Sequence, residues 1–176
     1  MEEKVRTYEY REGLEMFYNG EVLGEAVYSA LIASTEDLTI QLKLSYLLQL
    51  ETETKAWLRR YLLAAGMNVV EPDDIRTMGA SLAATMNAMS WKEGMQAIYT
   101  IATDDLLPHY RRYADESRLR GRPDEAAVCD HMVEHEEAQA EFARRELDGK
   151  DFAYSVEPLT RHSKYPLEAL AVTGMG

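Results

Sequence analysis

Apolar residues in this chain recur at steps of three and four through four long stretches, and no alternating run of strand length interrupts them. That period constrains the fold more than any other feature, because only helices place such residues on one face. Over 11–33 the stripe reads Leu14, Tyr18, Val22, Tyr28 and Ile32. Over 38–65 it reads Leu44, Leu47, Leu48, Leu58 and Leu62. Over 91–120 it reads Met95, Ile98, Ala102 and Tyr113, and over 123–147 Val128, Met132, Val133, Ala140 and Ala143. The punctuation agrees. Ser34-Thr35-Glu36-Asp37 supplies a turn and a cap, Gly66 a helix end, and Pro123 a helix start. Pro108, inside the third stretch, predicts a kink or a carbonyl left without its partner.

The linkers alternate short, long, short. The first and third predict antiparallel hairpins, and 67–90 is long enough to cross the length of the molecule. Within that crossover, Asp73-Asp74 predicts a short helix through Met78, Leu82, Met86 and Met89, packed over one end of the core. The expected fold is all-α: a four-helix bundle over 11–148, made of two antiparallel hairpins joined by a long crossover. An extension over 1–10 precedes it and a tail over 149–176 follows. Phe152, Tyr154, Leu159, Tyr165, Leu167 and Leu170 predict that the tail lies across the bundle or a partner subunit.

Charge narrows the function. Thirty-one acidic residues against nineteen Lys and Arg give a net charge of −12, which repels phosphate backbones and anionic lipid. Nucleic-acid and membrane-surface roles are therefore not expected. No apolar stretch approaches the length of a membrane span. The lone Cys129 excludes an internal disulfide and a Cys-rich zinc site. Met1-Glu2-Glu3-Lys4 lacks the pattern of a signal peptide, so a reduced, cytoplasmic protein is expected.

Most of these acids form a solvated coat, as at Asp130, Glu134, Glu137 and Glu141. Four stand within apolar stripes, where an unpaired carboxylate is costly. They are Glu25, Glu51, Asp105 and Glu136, one from each helix. Glu21 and Gln96 are further candidates for inward polar positions, and whether Gln96 or Asp105 is the inward residue of the third helix stays open. His109, one turn after Asp105, shares its face and can chelate an ion with it. His135 points about 100° away from Glu136 and is a poor substitute.

Gly24-Glu25, the run from Leu50 through Glu51 to Lys55, and the run from Val133 through Glu136 to Gln139 resemble the ferritin-like superfamily, in particular rubrerythrin and the small di-iron oxygenases. The resemblance covers roughly residues 15–147. It implies a bundle whose interior acids hold a pair of metal ions, iron or manganese, and an oxidoreductase or oxygenase reaction there. The implied ligands are Glu25, Glu51, Asp105, His109 and Glu136. A small apolar substrate would enter beneath the Met-rich 78–89 segment. The pattern is degenerate: the family's Glu-x-x-His reads Glu51-x-x-Thr54 on the second helix and Glu136-x-x-Gln139 on the fourth. The alternative expectation is a metal-free structural module, a homodimer, in which Lys55 neutralises the interior carboxylates.

Overall fold

A computed structural model describes residues 9–164, and these are helical with no strand among them. The helices are α1 (Tyr10–Ser34), α2 (Leu38–Ala64), α3 (Asp73–Asn87), α4 (Trp91–Thr100), α5 (Leu107–Leu119), α6 (Pro123–Leu147) and α7 (Phe152–His162). A π-helical segment, Ile101–Leu106, joins α4 to α5. No described helix is long and apolar enough to cross a membrane. Tyr165, Leu167 and Leu170, and the extension before Glu9, lie outside the described residues.

Local chemistry sets the ends. The Asp37 carboxylate accepts from the Thr39 and Ile40 amides and caps α2. Ser90 and Glu93 form a reciprocal capping box at the start of α4. Gly66 closes α2 at φ +65°, a conformation that other residues adopt only with strain.

Side-chain pairs give the helix directions. Gln41 reaches Thr35, Thr52 reaches Glu25 and Arg59 reaches Tyr18, so α1 and α2 run antiparallel. Arg118 meets Asp130, Arg111 meets Glu137 and Trp91 meets Glu146, so α4 and α5 run antiparallel to α6. The helix α3 departs from expectation. Tyr18 meets Glu71, Gly79 packs on Ala26, and Ser34 meets Asn87, so α3 lies alongside α1 and parallel to it rather than over one end. It is itself the crossover, returning the chain to the end where α2 began. The described part of the tail packs as α7 on α6 and α2, tied by Arg145 to Glu157 and by Ser163 to Glu53.

Gly79 makes the α1–α3 contact feasible. A Cβ there would stand 2.7 Å from the Ala26 Cβ and 2.8 Å from the Leu23 carbonyl oxygen, and backbone cannot yield as a side chain does. Overpacking of this kind costs about 1–3 kcal/mol, against roughly 1 kcal/mol gained in helix propensity. Gly79→Ala is therefore expected to lower stability in urea unfolding. A stabilised variant would mean that α3 does not seat on α1.

The apolar core is in two parts. One gathers Leu14, Phe17, Val22, Leu58, Leu62, Val128 and Met132. The other gathers Val27, Leu31, Leu44, Leu47, Leu50, Ile98 and Phe142. Between them, at the same level on α1, α2 and α6, runs a buried polar layer: Glu21, Glu51, Thr54, Lys55, His135, Glu136 and Gln139.

Candidate metal centre

Each helix places its part of this layer by phase. On α1 the buried line runs through Phe17, Glu21, Tyr28 and Leu31, with Gly24 between Glu21 and Tyr28. Gly24 leaves room for the Glu51 carboxylate; a Cβ there would overlap it. On α2, Glu51 and Thr54 follow Leu47 and Leu50. The helix α6 is packed by α4, α5, α7 and α2, so its inside covers more than half its circumference. That is why His135 and Glu136, about 100° apart, are both buried.

One carboxylate oxygen of Glu21, one of Glu51 and one ring nitrogen of His135 lie within 4.8 Å of one another. His135 Nε2 is 3.6 Å from Glu51 Oε1, and Nδ1 is 3.8 Å from Glu21 Oε2. Thr54 Oγ1 lies 3.0 Å from Nδ1. The Gln139 amide nitrogen stands 2.7 Å from both Glu51 Oε1 and His135 Nε2, and Tyr28 donates to its carbonyl at 2.8 Å. A carboxylate only accepts, so the amide nitrogen faces Glu51 and leaves Oε1 for the phenol. Glu21 Oε2 is buried and has no hydrogen-bond partner.

Crowded acids in a dry site hold their protons. Burial first, then the charges of Glu51 and Glu136 and a hydrogen bond shared with Glu51, keep Glu21 well above the usual carboxylate range. Burial, with Glu51 behind it, pushes Glu136 up to about 7 against the pull of His135. At His135 burial disfavours the charged ring, but Glu51 and Glu136 outweigh it and raise the pKa. Burial and the same three acids raise the Tyr28 and Tyr110 phenols, which stay hydrogen-bond donors.

Glu51 and Glu136 are thus inside as expected, but the other three implied ligands stand elsewhere. Glu25 faces Lys55, Thr52 and Arg76 at the edge of the layer. Asp105 and Gln96 are both exposed, which closes the choice between them: neither is inward. His109 is half-buried and paired with the Tyr113 hydroxyl at 2.8 Å. The π segment explains the third helix. A π turn carries one extra residue, so a phase read at 3.6 slips by one beyond it. The expected line Ala102, Asp105, His109, Tyr113 becomes Ala102, Leu106, Tyr110, Ala114, and no acid remains on the inner side. Pro108 accounts for the widening, since it cannot donate to the Asp104 carbonyl and its ring crowds that group.

Two residues of the cluster, Glu21 and His135, had only a faint signal in the sequence. For Glu21 that signal is Gly24, a mid-helix glycine one turn on, which marks close approach by a large neighbour. Lys55 is buried, but its ammonium pairs with Glu25 and, at 2.8 Å, with Glu71. It does not reach Glu51 or Glu136.

The donor set fits one ion. Glu21, Glu51 and His135 supply two oxygens and a nitrogen, and Glu21 Oε2 lacks any other partner. Gln139, which bridges Glu51 and His135, would turn aside. The set does not supply the two imidazoles and four carboxylates of a paired-metal bundle site. Beside it lies a cavity of about 230 Å³, walled mainly by Leu23, Val27, Leu82, Met86, Ile98 and Leu106. No protein-family model, no curated protein and no solved structure matches this chain.

Proposed function

We propose that the protein is a ferritin-like four-helix bundle in which Glu21, Glu51 and His135 hold a single iron or manganese ion, and that it is an oxidoreductase. The observation that carries this reading is the gathering of one oxygen of Glu21, one of Glu51 and one ring nitrogen of His135 within 4.8 Å in the buried layer, with no hydrogen-bond donor on Glu21 Oε2. Helix direction supports it: α1 and α6 run one way and α2 and α4–α5 the other, joined by a lengthwise crossover. Such an ion supplies a site for binding and reducing oxygen or peroxide. The chain's own part is to exclude water with two flanking cores, to keep a proton on Glu136 near neutral pH, and to orient His135 through Thr54.

Metal content tests it. Protein expressed with added iron or manganese is expected to carry about one ion per chain, lost in Glu51→Ala and in Glu21→Gln while the circular dichroism stays helical. Folded protein that takes up no ion on reconstitution overturns the reading.

A second reading has its own observation. The Gln139 amide already bridges Glu51 and His135, and protons on Glu21 and Glu136 remove the repulsion without metal. On this reading the bundle is a structural module, a cytoplasmic homodimer, and an ion-free preparation is the complete protein.

A further inference from the structure

The cavity beside the centre is one of two in line. A second, of about 190 Å³, lies toward the α3–α4 turn, walled by Leu31, Leu44, Met89, Trp91 and Met95. Met86 and Ile98 line both cavities, so these two side chains form the septum between them. On α1 the combined lining runs from Gly20 to Thr35, about 22 Å at 1.5 Å per residue. Progress along α3 and α4 matches it: Leu82 and Leu106 belong to the first cavity, Met89 and Trp91 to the second. The two cavities thus lie in line between α1, α3 and α4, and become one apolar passage where the Met86–Ile98 septum yields.

Ionisable side chains are confined to one end. Glu21, Glu51, Glu136, Tyr28 and Tyr110, with Gln139, face the first cavity, and the second is bounded by aliphatic and aromatic side chains with the uncharged Thr35, Asn87 and Ser90 at its turn end. The mouth of the first cavity is at exposed Gly20 and Ile101. A glycine inside a helix is unfavourable, and nothing lies within 4 Å of where a Gly20 Cβ would stand. Gly94, in the second cavity, is similar: its Cβ would meet only the Met86 methyl, at 4.0 Å. Methionine is the residue best suited to a septum that must yield, because its chain is unbranched and its rotamers are many.

We infer that this passage binds a linear aliphatic molecule with an uncharged polar head, an alcohol or aldehyde, its head at the Glu21–Glu51–Glu136 end and its tail past Met86 and Ile98. A carboxylate head would add a fourth acid to three already crowded in a dry site, which is costly, and a compact ring occupies the first cavity and leaves the second unused. Which end is transformed rests on the metal reading of the centre; the binding of the chain does not.

Calorimetric titration of the full chain with hexanol, decanol, tetradecanol and cyclohexanol tests this. Affinity is expected to rise about three- to fourfold per methylene until the second cavity is filled, with cyclohexanol weaker than hexanol. Gly94→Leu should weaken decanol about tenfold or more and leave hexanol unchanged. Ile98→Ala should strengthen the longer alcohols. Affinity independent of chain length, preference for the ring, or equal loss for every alcohol in a Gly94→Leu protein of unchanged thermal midpoint overturns the inference. Alkanol binding by folded protein that takes up no ion on reconstitution leaves this inference standing and removes the metal reading alone. Metal uptake without alkanol binding does the reverse.

Discussion

Stripped of divalent ions, the protein is expected to lose stability as the pH rises from 6.5 toward 8.5, opposite to the usual behaviour of a carboxylate-rich chain. The sign follows from Glu136. Its folded pKa, about 7, lies above the ordinary 4.5, so its contribution is complete below 4.5 and is lost as pH rises through about 7. A rise of that size corresponds to about 3 kcal/mol, most of it lost between pH 4.5 and 7, with roughly 1 kcal/mol left to lose above 6.5. Glu21 and His135, also raised, act in the same sense. His131 and His162 act oppositely but at lower pH. Burial first, and each other's or His135's charge behind it, press them down to about 3 and about 4. His109, pushed down by burial, joins them. Their contribution is lost as pH falls through 6.5 and is nearly complete only by about 7.5, so the Glu136 part is read as the difference between wild type and Glu136→Gln. Urea unfolding across this interval should show the decline in wild type and a flatter line in Glu136→Gln. Saturating manganese should reverse the slope, because the ion binds the deprotonated carboxylates. A flat line for chelated wild type would mean that the buried acids are solvated.

What was legible in the sequence divides along a physical line. Helix α6 is read as 123–147 and found as Pro123–Leu147, because Pro123 and Asp148-Gly149 act within a turn of themselves. The short linkers and the inward Glu51 and Lys55 follow from one uninterrupted period along α2. Failures arise where a neighbour decides. Glu21 rather than Glu25 faces the centre because Gly24 admits Glu51 between them, a fact about α2. His135 is inside because α7 and α2 cover a side of α6 that a lone stripe leaves to solvent.

Asp105 and His109 fail for a third reason. The π segment shifts the phase by one residue, and Pro108, the visible cause, announces a disturbance without its direction. The slip has a consequence for chemistry. It brings Ala102 and Leu106 to the centre in place of an acid, so α4 and α5 give this side of the layer an apolar wall and the Tyr110 phenol. The symmetric four-carboxylate cage expected becomes a cluster of Glu21, Glu51 and His135 beside a cavity on its remaining side.

Lys55→Met is expected to cost about 3 kcal/mol, at the lower edge of what breaking a buried ion pair costs. The Lys55 side chain is only 5 % exposed, and its ammonium joins Glu25 of α1 to Glu71 of the segment before α3. The cost stays at that edge because neither acid is left alone. Arg59 holds Glu71 at 2.8 Å, Arg76 also pairs with it, and Thr52 donates to Glu25. Adding Glu25→Leu should restore part of the loss, since replacing both partners removes the stranded charge. The same variant separates two roles for Lys55. If it neutralised Glu51 and Glu136, its loss would disturb the centre as well as the fold. The geometry assigns it to the rim, where its effect on the centre is a weak pull lowering the Glu21 pKa. Metal affinity in Lys55→Met should therefore hold or rise slightly while stability falls. A joint collapse of both would place the ammonium among the interior acids, and a neutral effect on stability would place it in solvent.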